Sequence, residues 1–134
     1  MEEKIIRVAD YTEYPGPRYQ YQGKYSGEDF YFRIIKPAFE LAIGDNSRLL
    51  IDLDGTAGYA SSFIDEAIGN LVYDFDFSEI ETRLDIISIR EPDWRDLIQK
   101  GILKEWREKK VKSSPRKPIE LKQYDSALSP DERS

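Results

Sequence analysis

The chain has 134 residues, 40% of them hydrophobic and 34% charged, the composition of one soluble globular domain. It contains no cysteine and no histidine, which excludes a disulfide scaffold, thiolate and imidazole metal ligands, a cysteine nucleophile and a Ser-His-Asp triad. A net charge of −6 argues against a nucleic-acid binder, whose phosphate contacts need a basic surface.

Lys4-Ile5-Ile6-Arg7-Val8 is a short β-rich run and predicts a first strand. Pro15-Gly16-Pro17 breaks regular structure. Arg18-Tyr19-Gln20-Tyr21-Gln22 alternates aromatic and polar residues, the pattern of a half-exposed strand paired in a hairpin with the first. Ser26 suits a helix N-cap, with Glu28 and Asp29 in the first turn where the helix dipole favours them. Phe30, Ile34 and Leu41 recur at helical spacing, Pro37 marks a kink, and Gly44-Asp45-Asn46 ends the helix.

Leu49 to Leu53 is nearly all apolar and predicts a buried central strand, parallel to another. Asp54, Gly55 and Gly58 make a loop, and Ser61 or Ser62 caps the next helix. That helix turns a wide apolar face, with Phe63, Ala67 and Leu71 on it and Gly69 placed for close packing. Asp74 to Glu81 is expected as an acidic, aromatic connection, Leu84 to Ile89 as a last strand, and Glu91-Pro92-Asp93 as the start of a helix carrying Trp94 and Trp106.

The order β-β-α-β-α-β-α predicts an α/β domain over 1–109, with a mixed four- to five-stranded sheet and helices mainly on one face. Residues 1–109 hold 14 basic and 22 acidic side chains, against 6 and 4 in 110–134. The second segment is a basic tail holding Pro and Ser, expected to be disordered or loosely docked. The start of the chain shows no secretory signal. Its apolar runs are about five residues, too short for a membrane span. A cytoplasmic protein without membrane contact is expected.

The stretch from Leu49 to Leu71 carries two resemblances. Asp52-Leu53-Asp54-Gly55-Thr56 after an apolar strand resembles the opening motif of haloacid-dehalogenase-type phosphatases. That likeness implies Asp52 as nucleophile, Asp54 as general acid/base and Mg²⁺ between carboxylates and phosphate, with Ser88 and Lys100 or Lys104 in supporting roles. Against it, 48 residues precede the apolar strand at Leu49, whereas the motif belongs on that family's first strand, and no later acidic pair is placed to hold the metal.

The second resemblance covers residues 4 to 109. Gly16-Pro17-Arg18, Ser26-Gly27-Glu28-Asp29-Phe30, Asp52-Leu53-Asp54-Gly55 and Gly58-Tyr59-Ala60-Ser61-Ser62-Phe63 follow in order. Together they resemble a STAS-like family of unknown function related to the STAS domains of bacterial anti-sigma-factor antagonists. The resemblance implies a non-catalytic regulatory module in signalling, contacting a GHKL-type ATPase or sensor kinase. It also implies Ser61 as the phosphoacceptor position, although the antagonists have Asp and Gly where this chain has Ala60 and Phe63. The partner-binding surface is expected at Tyr59, Ser61, Ser62, Phe63 and Asp65. No catalytic residue, metal or cofactor is expected on this reading.

Arg18, among Tyr14, Tyr19, Tyr21 and Tyr25, is a candidate contact for a ligand's anion, or an internal partner of Asp10 or Glu28. The first option, with the loop after the central strand, would make the protein a small-molecule sensor. The oligomeric state has no signature in the sequence.

Overall fold

A computed structural model describes residues 1–112 and 119–122, with the side chains of 111 and 112 left aside. Along the chain run β1 (Glu3–Arg7), α1 (Val8–Tyr11), α2 (Gly27–Phe30), a π-helical stretch (Tyr31–Ile35) and α3 (Lys36–Gly44). Then come β2 (Arg48–Asp52), α4 (Ser61–Gly69), α5 (Leu71–Asp74), α6 (Phe77–Arg83) and β3 (Leu84–Ile87). Last are α7 (Asp93–Asp96), a second π-helical stretch (Leu97–Ile102) and α8 (Leu103–Lys112).

Among the described residues the sheet has three strands in the order β1-β2-β3, both pairs parallel. This corrects the expected mixed sheet of four to five strands. Arg18–Gln22 is not a strand among the described residues: Gln22 N–H turns back to Tyr19 O at 2.9 Å, and Pro17 before it lacks a donor for a ladder. Asp74–Glu81 is not a plain connection either, since α6 begins at Phe77.

Sequential parallel strands with right-handed crossovers place every connecting helix on one face. Burial agrees. Leu49, Ile51, Leu84 and Ile86 face the helices and are buried, whereas Ile5 on the opposite face is 47% exposed. On that open face Arg48 sits between Glu3 and Asp85, with nitrogens 3.5 and 3.0 Å from their carboxylates.

The first long helical passage shows how sequence sets geometry. Ser26 is its N-cap, and its Oγ accepts the Asp29 N–H at 3.0 Å, worth about 1 kcal/mol. Lys36 N–H reaches back five residues to Tyr31 O. Pro37 follows with no N–H to give, so the wider π turn makes room for its ring without breaking the helix. At the far end Asn46 takes φ +57. Ser47 N–H then reaches Ala42 O at 2.8 Å, the six-to-one bond of a Schellman ending.

The apolar face of α4 is the centre of the core. Phe63, Ile64, Ala67 and Ile68 are each at most 1% exposed. Two glycines set the helix approaches. A Cβ on Gly27 would run into the Phe63 carbonyl, and one on Gly69 into the Trp106 ring. Gly44 has nothing near its Cβ position.

The boundary at 109 falls inside α8, which runs to Lys112. Most of the 110–134 tail lies outside the described residues. Its residues 119–122 rest against Gln20 and Arg33.

Gly27→Ala should therefore destabilise the fold by about 1–3 kcal/mol, because the atom in the way is backbone. Gly44→Ala, on an open helical position, should be neutral or stabilising by up to about 1 kcal/mol. Urea midpoints of the two variants check this, and equal shifts would contradict the close approach of α2 and α4.

Candidate functional site

The loop leaving the central strand, residues 53–60, leads into α4 and carries most of the sequence candidates. Asp52 and Asp54 flank its start, and both are engaged. Asp52 Oδ1 accepts the Asp54 N–H at 2.9 Å, and its Oδ2 lies 3.7 Å from Arg7 Nε. Asp54 accepts the N–H groups of Ile89 at 2.9 Å and Arg90 at 3.0 Å, one on each oxygen. These backbone donors, Arg90 first, hold its carboxyl below the usual aspartate range. Asp54 thereby ties the loop after β2 to the loop after β3. Gly55, at φ +98, makes the turn that lets it do so.

Of the supporting residues of the phosphatase pattern, Ser88 shares a cleft with Asp54 and Thr56, whereas Lys100 lies away from it. Ser88 Oγ donates to Glu91 O at 2.6 Å. Lys100 stands 3.9 Å from Asp96 on the exposed side of its helix. Among the described residues no group of three or more acidic side chains is arranged to hold a metal ion.

The same loop is laced to residues 13–16. Ala57 N–H donates to Glu13 O at 2.8 Å and Ala60 N–H to Pro15 O at 3.0 Å. Tyr59 is half-buried, and its hydroxyl donates to Leu53 O at 2.6 Å. Burial pushes the Tyr59 phenol well above its usual value, so it stays protonated.

The serine pair departs from the capping expectation. Ala60 is the N-cap, with no side-chain bond, and Ser61 and Ser62 are the first two residues of α4. Ser61 is exposed. Ser62 Oγ donates to Gly16 O at 3.3 Å. Phe63 is 0% exposed, with its ring 5.8 Å from Phe30 and 6.3 Å from Tyr59. It belongs to the core and not to the contact surface expected for it. Burying a phenylalanine there stabilises by about 1.5–3 kcal/mol.

Asp65 is half-buried and has two partners. Arg18 Nη1 approaches its Oδ2 at 2.6 Å, and Trp106 Nε1 donates to its Oδ1 at 3.0 Å. The same Arg18 nitrogen lies 3.3 Å from Glu66 Oε1. Arg18 is thus paired internally, but with Asp65 and Glu66 rather than Asp10 or Glu28. Burial works against its charge, yet the two carboxylates outweigh it and hold the guanidinium above its usual value. Its side chain is 29% exposed, and its charge is met within the domain.

Glu66 was not a sequence candidate. It is 7% exposed and also accepts Asn70 Nδ2 at 2.9 Å. Burial raises its carboxyl above the usual glutamate value, while Asn70 and Arg18 pull the other way. Its position i+3 from Phe63 and i−4 from Asn70, on an otherwise apolar face, was the available signal. Trp94 stands edge-on to Tyr59 with ring centroids 5.9 Å apart, and Trp106 lies against Tyr73 at 5.7 Å.

A family described as a STAS-like domain of unknown function (DUF4325) matches residues 26–94, just over half of the chain. The match opens on the Ser26 cap and closes at Trp94, narrower than the span of 4 to 109 that the motifs suggested. No curated protein and no solved structure matches the chain. Among the described residues no helix is long and apolar enough to cross a membrane.

The raised Glu66 carboxyl has a definite sign in stability. Its folded value lies above the unfolded one, so the neutral form suits the folded state better. Stability contributed by Glu66 is full below the ordinary glutamate range, about 4.3, and is lost as pH rises through the folded value. Glu66→Gln should remove that decline while keeping an oxygen for Asn70. Urea unfolding of both proteins across the mildly acidic range reads the difference, and identical pH profiles would contradict it.

Proposed function

The chain belongs to this STAS-like family, and on that premise we propose that it is a non-catalytic regulatory module that works through contact with another protein. The observation that carries the reading is the state of the Asp52–Asp54 pair. A phosphatase nucleophile needs a carboxylate aimed at substrate and an acid able to give up a proton. Here Asp54 spends both oxygens on the backbone of Ile89 and Arg90, which favours its ionised form. The motif serves as a clasp between two loops.

The contact surface centres on exposed Ser61, with Ser62 and Asp65 beside it and the half-buried Tyr59 behind. Ser61 starts a nine-residue helix that leaves directly from the central strand's loop. A phosphate on its hydroxyl would meet the free N–H end of that helix. Asp65, one turn on, would repel it, but Arg18 at 2.6 Å offsets that charge. Likeness to the antagonist STAS domains supports a GHKL-type ATPase or sensor kinase as partner, in a bacterial cytoplasmic signalling role.

A second reading has one observation in its favour. A cleft of about 290 Å³ opens at the carboxyl ends of β2 and β3, lined by Asp54, Gly55, Thr56, Gly58, Ser88 and Arg90. Ligands of open α/β sheets settle at that end, so a small polar metabolite fits there. Arg18, met internally, is not part of this cleft. A thermal-shift screen tests the idea, since a ligand at 100 times its Kd adds about 2.7 kcal/mol.

The main reading is tested by titrating the purified chain against the GHKL-type ATPases of its own cell. One of them should bind, and Ser61→Asp should weaken that binding at least about tenfold, or 1.4 kcal/mol. Binding to none of them, or binding indifferent to Ser61→Asp, would overturn it. Incubated with Mg²⁺ and a generic phosphate ester, the chain should release no phosphate; turnover lost in Asp52→Asn would restore the phosphatase.

A further inference from the structure

Residues 119–122, Ile-Glu-Leu-Lys, lie against the loop that carries Arg18, about a hundred residues earlier in sequence. The side-chain amide of Gln20 grips the peptide groups on either side of Leu121. Its Nε2 donates to Glu120 O at 2.8 Å, and its Oε1 accepts the Lys122 N–H at 2.9 Å. A residue in a parallel strand makes the same two bonds to the residues before and after its opposite number. Arg33 Nη2 adds a third bond, to Lys122 O at 2.9 Å.

All three bonds go to peptide groups, so they impose no side-chain identity. What the segment supplies is alternation: Ile119 and Leu121 are half-buried, Glu120 and Lys122 exposed. Side chains pointing to alternate sides are the mark of an extended chain.

The loop that carries Gln20 and the guanidinium of Arg33 are held from behind. The backbone N–H of Gln20 donates to Glu28 Oε1 at 3.0 Å. Arg33 sits on Asp29 through Nε at 3.0 Å and Nη2 at 2.9 Å. Asp29 is 2% exposed and also takes the Tyr11 hydroxyl at 2.6 Å. A clamp on an anchored loop, reading only backbone and an apolar-x-apolar alternation, has the chemistry of peptide recognition by strand addition. Gln20 and residues 119–122 lie outside the family match of 26–94, and Arg33 lies within it.

We propose that Gln20 and Arg33 form a docking site for an extended segment of a partner protein, of apolar-x-apolar pattern, which the chain's own residues 119–122 fill in its absence. The cis segment follows α8 by only a few residues, and such a tether gives it an effective concentration on the order of millimolar. A partner must displace it, so occupancy by the tail sets the threshold for binding.

The test uses the full-length chain and a fluorescent peptide of residues 117–124 as the probe. Lys122→Pro removes the N–H that Gln20 accepts, without touching the domain. That variant should bind the peptide at least about tenfold more tightly than the wild-type chain, because its own segment no longer competes. Adding Gln20→Ala should abolish the gain. Equal anisotropy titrations for wild type and Lys122→Pro, or a gain that survives Gln20→Ala, would overturn the proposal. Amide exchange gives a second measure: the Lys122 N–H should be protected in the wild type and exposed in Gln20→Ala, and equal rates would also overturn it. If the wild-type chain proves to be a dimer that Lys122→Pro dissociates, the site serves a second copy, and the assignment to a partner protein falls.

Discussion

The close approach of the start of α2 to the start of α4 is the constraint on which the rest of the molecule hangs. Gly27 leaves no room between its α carbon and the Phe63 carbonyl. That contact seats the Phe30 and Phe63 rings against one another. It also anchors the irregular stretch before it. Gly27 N–H donates to Pro17 O and Glu28 N–H to Arg18 O, both at 2.9 Å. Arg18 is thereby pinned where its guanidinium reaches Asp65 and Glu66, and Gln20, two residues on, faces outward to meet the tail. A loop without regular structure of its own is made definite by the end of a helix whose first N–H groups need acceptors.

Electrostatics in the domain is organised by arginines set between carboxylates. Arg18 lies between Asp65 and Glu66, Arg48 between Glu3 and Asp85, and Arg33 binds Asp29. Arg83, 9% exposed, pairs with Glu79 and donates to Ser47 O at 3.0 Å. These forks spread charge-assisted hydrogen bonds through an acidic chain. At Glu66 desolvation outweighs its partners and raises the carboxyl.

Much of this was legible in the sequence wherever the signal is local. The apolar run from Leu49 to Leu53 announced the central parallel strand, Ser26 with two acids after it announced the cap, and Gly69 announced a close approach, which the Trp106 ring fills. The misses share a physical cause. Alternation in Arg18–Gln22 reports which side chains are wetted, not whether a backbone partner stands alongside, and the Arg18 and Tyr19 N–H groups turn to the Gln22 side chain instead. Ser61 and Ser62 had the chemistry of a cap, but the turn from Gly58 brought Ala60 into the cap position instead. Asp52 and Asp54 had the spacing of a catalytic pair, a reading already outweighed in the sequence, but the bonds of Asp54 to residues 89 and 90 were not legible there. The grip of Gln20 on residues 120 and 122 joins points about a hundred positions apart, and no window along the chain contains both.

The sequential order of the three parallel strands has a consequence for how the fold can grow. Every crossover lies over one face, so neither outer strand is locked in by a connection passing beside it. β1 and β3 are the outer strands of the sheet among the described residues, and on β3 the Ile86 N–H is taken by Asp85 Oδ1 at 2.8 Å. A further strand, from an insertion or a fused neighbour, can be laid against either one without rerouting any part of the existing chain. The domain is in this sense an open-ended building unit, its size set by how its edges are occupied and not by its internal wiring.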